Sequence, residues 1–187
     1  MGKYLKKLII ILVSIIKIVW IKLWNGKKLN ASLLNALSIS AQIEIEKDGF
    51  LQIGKMLKMR KNSKLCVRKG ASITVGENFF MNENCSIISH QNISIGKNVM
   101  LGPGVLVYDH DHDFSQPEGL YAMKYKTAPV MIGNNVWIGA NTVILRGTTI
   151  GDNCVVAAGS VIKGTYPNDT MIYQKRITNT KKIERNI

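Results

Sequence analysis

Residues 130–164 read VMIGNNVWIGANTVILRGTTIGDNCVVAAGSVIKG, and within them Ile132, Ile138, Ile144, Ile150, Val156 and Ile162 stand six residues apart without a slip. An amphipathic helix repeats its apolar positions near 3.6 residues and a half-buried strand near 2, so a period of six is three strand pleats per unit. Each unit is therefore one flat side of a coil. The residue after the aliphatic one is usually small, as at Gly133, Gly139, Gly151 and Ala157, with Asn or Asp close behind at Asn134, Asn141, Asp152 and Asn153. Small and turn-prone residues let the backbone round a tight corner. Units that cannot bury an apolar face alone bury it by stacking, which predicts a parallel β-helix. A sandwich of unrelated strands has no reason to hold a period of six.

Working outward, the register continues backwards through Val107, Leu101, Ile95, Ile87, Met81, Val75, Val67, Met59 and Ile53, in steps of six or eight. The eights read as two-residue corner insertions. The ladder gives about five coils, stacked to about 24 Å at ordinary strand spacing, with Ile43 and Ile45 as a partial first coil. At 187 residues the chain suits one such domain. We expect a basic, hydrophobic N-terminal helix and connector over 1–38, the β-helix over 39–168 and a basic tail over 169–187. Cys66, Cys85 and Cys154 are odd in number and lie in or beside the ladder, which predicts buried reduced thiols. No CxxC or His/Cys spacing marks a zinc site.

The formal net charge of +13 is uneven. Residues 1–30 hold Lys3, Lys6, Lys7, Lys17, Lys22, Lys27 and Lys28 with no acid. A second run lies between Lys55 and Lys69, and a third spans Lys175, Arg176, Lys181, Lys182 and Arg185. These favour a polyanion or an anionic membrane surface. Nucleic acid is disfavoured, because the basic runs lack interleaved stacking aromatics. The apolar run from Leu5 to Ile21 has no small-residue cleavage site after it, and Lys17 divides a stretch otherwise just long enough to cross a bilayer. At 100° per residue Lys3, Lys6, Lys7, Ser14 and Lys17 share a stripe. The segment therefore reads as an interfacial helix, lysines toward phosphates and Trp20 and Trp24 at headgroup depth, or as a cap on the open end of the β-helix.

Between Val107 and Ile132 the ladder stops, and the loop at 108–129 holds His110 and His112 among Asp109, Asp111 and Asp113. Long loops in a repeat fold tend to be functional, and histidine beside carboxylates suits proton transfer near neutral pH. His-x-His also suits paired metal ligands on an extended strand, but no third ligand is marked, so no metal is expected.

Three blocks then resemble the hexapeptide-repeat acyltransferases, left-handed parallel β-helix enzymes that move an acetyl group from acetyl-CoA to a hydroxyl or amine. They are NFFMNENC at 78–85, the loop ending in His112-Asp113, and the coils from Pro129-Val130 through Ile162. The core is similar to that of galactoside and maltose acetyltransferases, while the first 45 residues are not. The resemblance implies a left-handed coil and, without gaps from Asn82, a catalytic histidine at His112, with His110 as the alternative. It implies acceptor binding at Asn82 and Asn84, and at His90, where the galactoside enzymes carry an acid and so take a different acceptor. It places Trp137 near the pantetheine, the Ala140 amide at the thioester oxygen, and Gly139 and Ala158 along the pantetheine arm. Lys163 stands one position early for the family's phosphate-binding lysine, and the usual tail motif is replaced by residues 171–176.

The function these readings predict is an O-acetyltransferase using acetyl-CoA on a cell-surface polysaccharide or its lipid-linked precursor. The resemblance implies a homotrimer, and the basic N-terminal segment a peripheral place on the cytoplasmic face of the membrane. Its rivals are an antibiotic acetyltransferase, whose usual Asn-His context is missing, and a β-helix that binds glycan without catalysis.

Overall fold

A computed structural model describes residues 3–175 and 177–182. Three parallel sheets form the sides of one prism: two of seven strands and one of six, each strand pairing with the strand one coil away. The first face begins at Leu29–Ala31 and ends at Thr165–Tyr166, the second runs from Ala36–Leu37 to Met171–Ile172, and the third from Gln42–Ile45 to Val161–Ile162. The result is a left-handed parallel β-helix. It has six complete coils and two strands of a seventh, one coil more than the ladder predicts. The added coil lies at 29–45, where Leu29, Ala31 and Leu37 point into the core, and Tyr166 and Ile172 continue the ladder at the other end.

Every ladder residue from Ile53 to Ile162 is buried. Register refines one of them: Leu65, not Val67, stacks between Ile43 and Ile87, so the step from Met59 is six and the extra residues follow the strand. Burying an Ile or Leu contributes about 1.5–3 kcal/mol, and the columns bury one in each face at each level.

Corners are made by residues in the left-handed region, among them Asn78, Asn98, Asn135, Asn153 and Asp169, all with φ of 56–58°. Their side chains form a ladder in which each Nδ2 donates to the next Oδ1, from Asn78 to Asn98 at 3.0 Å, Asn98 to Asn135 at 2.9 Å, Asn135 to Asn153 at 3.1 Å and Asn153 to Asp169 at 2.9 Å. Asn tolerates this conformation better than other non-glycine residues. At Gly139 the next coil is so close that a Cβ would sit 2.5 Å from the Ala158 nitrogen.

Helix α1, Lys3–Asn25, lies over coil 1, with Ile18 buried in the core and Ile21 packed against it. Of its polar stripe, Ser14 and Lys17 face coil 1, as the capping reading has it. Ser14 is buried; its hydroxyl accepts the Leu37 N–H at 2.7 Å and donates to the Ile10 carbonyl at 2.6 Å. The Lys17 ammonium donates to the carbonyls of Ser38, Ile39 and Ala41. The reason is that the end coil presents unpaired backbone groups, and Ser14 and Lys17 are the donors and acceptors at hand. Capping is therefore real, and the exposed side chains from Leu8 to Trp24 are apolar. The side chains of Lys3, Lys6 and Lys7, and Arg176 and Arg185 of the last basic run, lie outside the described residues.

Candidate active site

The loop leaves the third face after the strand Leu106–Tyr108 and forms an antiparallel hairpin, His110–His112 against Tyr125–Thr127. Arg146 on the next coil bonds Asp111. Asp113 accepts from the Ser115 hydroxyl, from Lys126 at 3.0 Å and from Gln116 at 2.7 Å, which hold its carboxyl far below the usual carboxylate range. The hairpin is thus pinned at both ends.

At its base Asp109 is fully buried. The alternation that turns Val107 inward turns Asp109 inward too. Its carboxylate accepts from the Ser89 hydroxyl at 2.7 Å, the His90 amide at 2.7 Å and the Gln91 amide at 2.9 Å, and stands 3.3 Å from His110 Nδ1. Burial pushes its pKa up, but the hydrogen bonds from His110, His90, Ser89 and Gln91 outweigh that and hold it below the ordinary value. An ionised carboxylate only accepts. His110 therefore donates through Nδ1, which in the neutral ring puts the lone pair on Nε2.

His90 and His110 lie ring to ring, centroids 3.9 Å apart, and Tyr125 packs 4.1 Å from His90, 5.5 Å from His110 and 4.8 Å from His112. Burial, and then the charge of His110, lower the His90 pKa. His112 is exposed on the outer part of the hairpin, and among the described residues its ring makes no hydrogen bond to a carboxylate. Of the two histidines singled out, His110 is the one with an orienting partner. Asp109, one of the carboxylates beside the two histidines in the loop sequence, is the orienting acceptor; Ser89 and Tyr125 were missed by sequence reasoning. The inward phase set by Val107 was a signal for Asp109; nothing marked Tyr125.

The remaining predicted residues gather elsewhere. Trp137 is half-exposed on the second face. At the corner that follows, Gly139 packs against Ala158, and the amide N–H groups of Ala140 and Ala158 bond no acceptor among the described residues. Asn82 and Asn84 lie on the same corner, where Asn82 Oδ1 accepts the Glu83 amide at 2.9 Å and Asn84 turns the chain at φ 59°. Lys163 is exposed at a later corner. The asparagines precede the strand Ser86–Ser89 and His90 follows it, so a strand of about 13 Å separates the two clusters within one chain. Cys66, Cys85 and Cys154 are buried and unpaired; burial, with the Glu44 carboxylate adding, pushes the Cys66 thiol up to about 12. Among the described residues no group of three or more His, Cys, Asp or Glu is placed to hold a metal ion.

Coil, corner amides and a carboxylate-anchored imidazole on an inserted loop together define a β-helix of the transferase kind. The chain belongs to the bacterial hexapeptide-repeat transferases: the pattern described as "Bacterial transferase hexapeptide (six repeats)" matches residues 129–164. A solved maltose O-acetyltransferase from Clostridium difficile is 39% identical, with a TM-score of 0.59 over 72% of this chain and 70% of that one. The galactoside O-acetyltransferase of Escherichia coli (strain K12) is 37% identical over 102 residues, 52% of this chain and 48% of that one. The putative lipopolysaccharide biosynthesis O-acetyl transferase WbbJ of the same strain is 29% identical over 136 residues, 68% and 69% of the two chains. A galactoside acetyltransferase solved in complex with coenzyme A is 36% identical, with a TM-score of 0.51 over 55% of this chain and 50% of that one. The chain spans about half the length of the first curated relatives it matches.

Proposed function

We propose that the protein moves an acetyl group from acetyl-CoA to a hydroxyl of a cell-surface polysaccharide or its lipid-linked precursor, with His110 as general base. The observation that carries this is the buried Asp109 carboxylate on His110 Nδ1, which leaves Nε2 free to take a proton. The acceptor hydroxyl gives that proton to Nε2 as its oxygen attacks the thioester carbonyl carbon. The Ala140 N–H donates to the oxygen that gains charge. As the C–S bond breaks, the imidazolium returns the proton to the departing thiolate, so ester and free thiol form and the enzyme is regenerated. Trp137, Gly139 and Ala158 line the pantetheine arm; Asn82, Asn84 and His90 meet the acceptor. The separation of the two clusters supports a homotrimer in which the corner of one subunit faces the hairpin of the next.

The polysaccharide class is supported by the name of the WbbJ relative and by the lysine-rich, apolar start of the chain, which also supports work at the inner face of the membrane. Transfer is measured as thiol release from acetyl-CoA in the presence of surface glycan extracted from the source cells. His110→Ala is expected to lower the rate at least about 100-fold and His112→Ala much less. The reverse order moves the base to His112, and full activity in both variants overturns the reading.

A further inference from the structure

The outer side of α1 is left without a partner. With Ser14, Lys17 and Ile18 turned onto coil 1, the helix exposes Leu12, Ile16, Val19, Trp20, Leu23 and Trp24, with Ile16 at 69% and Leu23 at 76%. A continuous apolar surface of this kind marks an interaction site in a folded protein. From Leu8 to Lys28 the segment is long and apolar enough to cross a bilayer by length and composition. Its docking argues against that. A crossing pose would carry Ser14 and Lys17, and with them the carbonyls of residues 37–41 that they bond, to the middle of the hydrocarbon.

We propose that α1 lies in the plane of an anionic membrane, apolar side in one leaflet, and holds the β-helix upright on that surface through Ser14 and Lys17. Charge selects the occupant. Residues 1–30 carry seven lysines and no acid, so two copies meeting through this face would bring like charges together, whereas anionic headgroups would neutralise them. Trp20 and Trp24, with ring centroids 6.0 Å apart, suit headgroup depth. Lys17 is thus a clamp on the protein, and the membrane meets the other side of the helix.

One consequence rests on the acetyl-transfer reading. His110 follows the fourth strand of the third face, about 14 Å above coil 1 at ordinary strand spacing, and the helix adds about 5 Å. A cleft of about 440 Å³ lined by Ser40, Gln42, Asn62, Lys64, Asn84 and Ser86 climbs the first three coils, about 10 Å of that height. The lipid-linked acceptor that fits is a glycan of several sugars, modified well away from its lipid end.

The test uses the full chain with vesicles of phosphatidylcholine, with and without phosphatidylglycerol. Co-sedimentation is expected with phosphatidylglycerol and is expected to weaken with salt. Alkaline carbonate should release the protein, and in a Trp137→Phe background brominated acyl chains should quench the remaining tryptophans. Ile16→Glu/Leu23→Glu changes only exposed positions and should lower vesicle binding at least tenfold, with the thermal midpoint and the oligomeric mass unchanged. Absence of vesicle binding, resistance to carbonate, or a change of oligomeric mass in the double variant each overturns the proposal, the last by assigning the face to another copy of the chain. None of these readouts depends on acetyl transfer, so failure of the catalytic reading remains separately visible.

Discussion

Asp109 shows how one buried side chain organises a site. Three of its four partners, Ser89, His90 and Gln91, lie on the neighbouring coil and the fourth, His110, on the loop itself, so the carboxylate ties the base of the hairpin to the prism while it orients His110. Replacing it by Asn puts an amide NH2 in place of an oxygen that accepts from a backbone N–H, which can only donate. We expect Asp109→Asn to lose about 1–3 kcal/mol of stability, measured by urea denaturation. The acid stability of the wild type follows from the same group. Its carboxyl is depressed in the folded state, so its contribution is fully present above the ordinary value of 3.8 and is lost as pH falls through the lower folded value. The urea midpoint of the wild type should fall more steeply below about pH 4 than that of Asp109→Asn. The sequence made the His-x-His loop visible because it interrupts a strict period. It did not separate His110 from His112, since both alternate outward and only the depth of Asp109 distinguishes them.

At the scale of elements, corners decide more than strands. Strands of two to four residues carry little identity beyond an inward aliphatic, whereas the corners of the Asn78–Asp169 ladder must hold φ of 56–58° and satisfy their polar groups against the coils above and below. Asn135 does both, accepting from Asn98 and donating to Asn153. Asn135→Ala is expected to cost about 1–3 kcal/mol, and Asn135→Gly less, since glycine keeps the backbone free; the order of thermal midpoints checks it. The period of six and the Asn-rich corners were legible because they repeat. Coil 1 was not. Its Leu29-Asn30-Ala31 and Ala36-Leu37 strands are too short to show a period, and they sit beside a helix whose apolar face masks them. The turn of Ser14 and Lys17 onto the coil was legible only as the capping alternative, for a general reason: amphipathic logic sends lysine to water, but the open end of a β-helix presents carbonyls that a lysine can satisfy.

For the whole molecule the question is how two clusters about 13 Å apart can act on one acceptor. A single chain holds Trp137, Ala140 and Ala158 on one edge of the third face and Asp109, His110 and Tyr125 on the other. A ring of three identical prisms would bring the first edge of each chain against the second edge of the next, forming three equivalent sites by a heterologous contact. This arrangement has a consequence that a self-contained site lacks. Chains carrying His110→Ala retain an intact coenzyme corner, and chains carrying Trp137→Ala retain an intact base. When the two inactive proteins are unfolded together in equal amounts and refolded, about a quarter of the sites in randomly mixed rings should combine both intact halves. Thiol release from acetyl-CoA should then return to about a quarter of the wild-type rate, while each variant refolded alone stays inactive. If the mixture also stays inactive although native mass measurements find mixed rings, both halves must come from one chain, and the loop would have to fold across the third face to reach the corner.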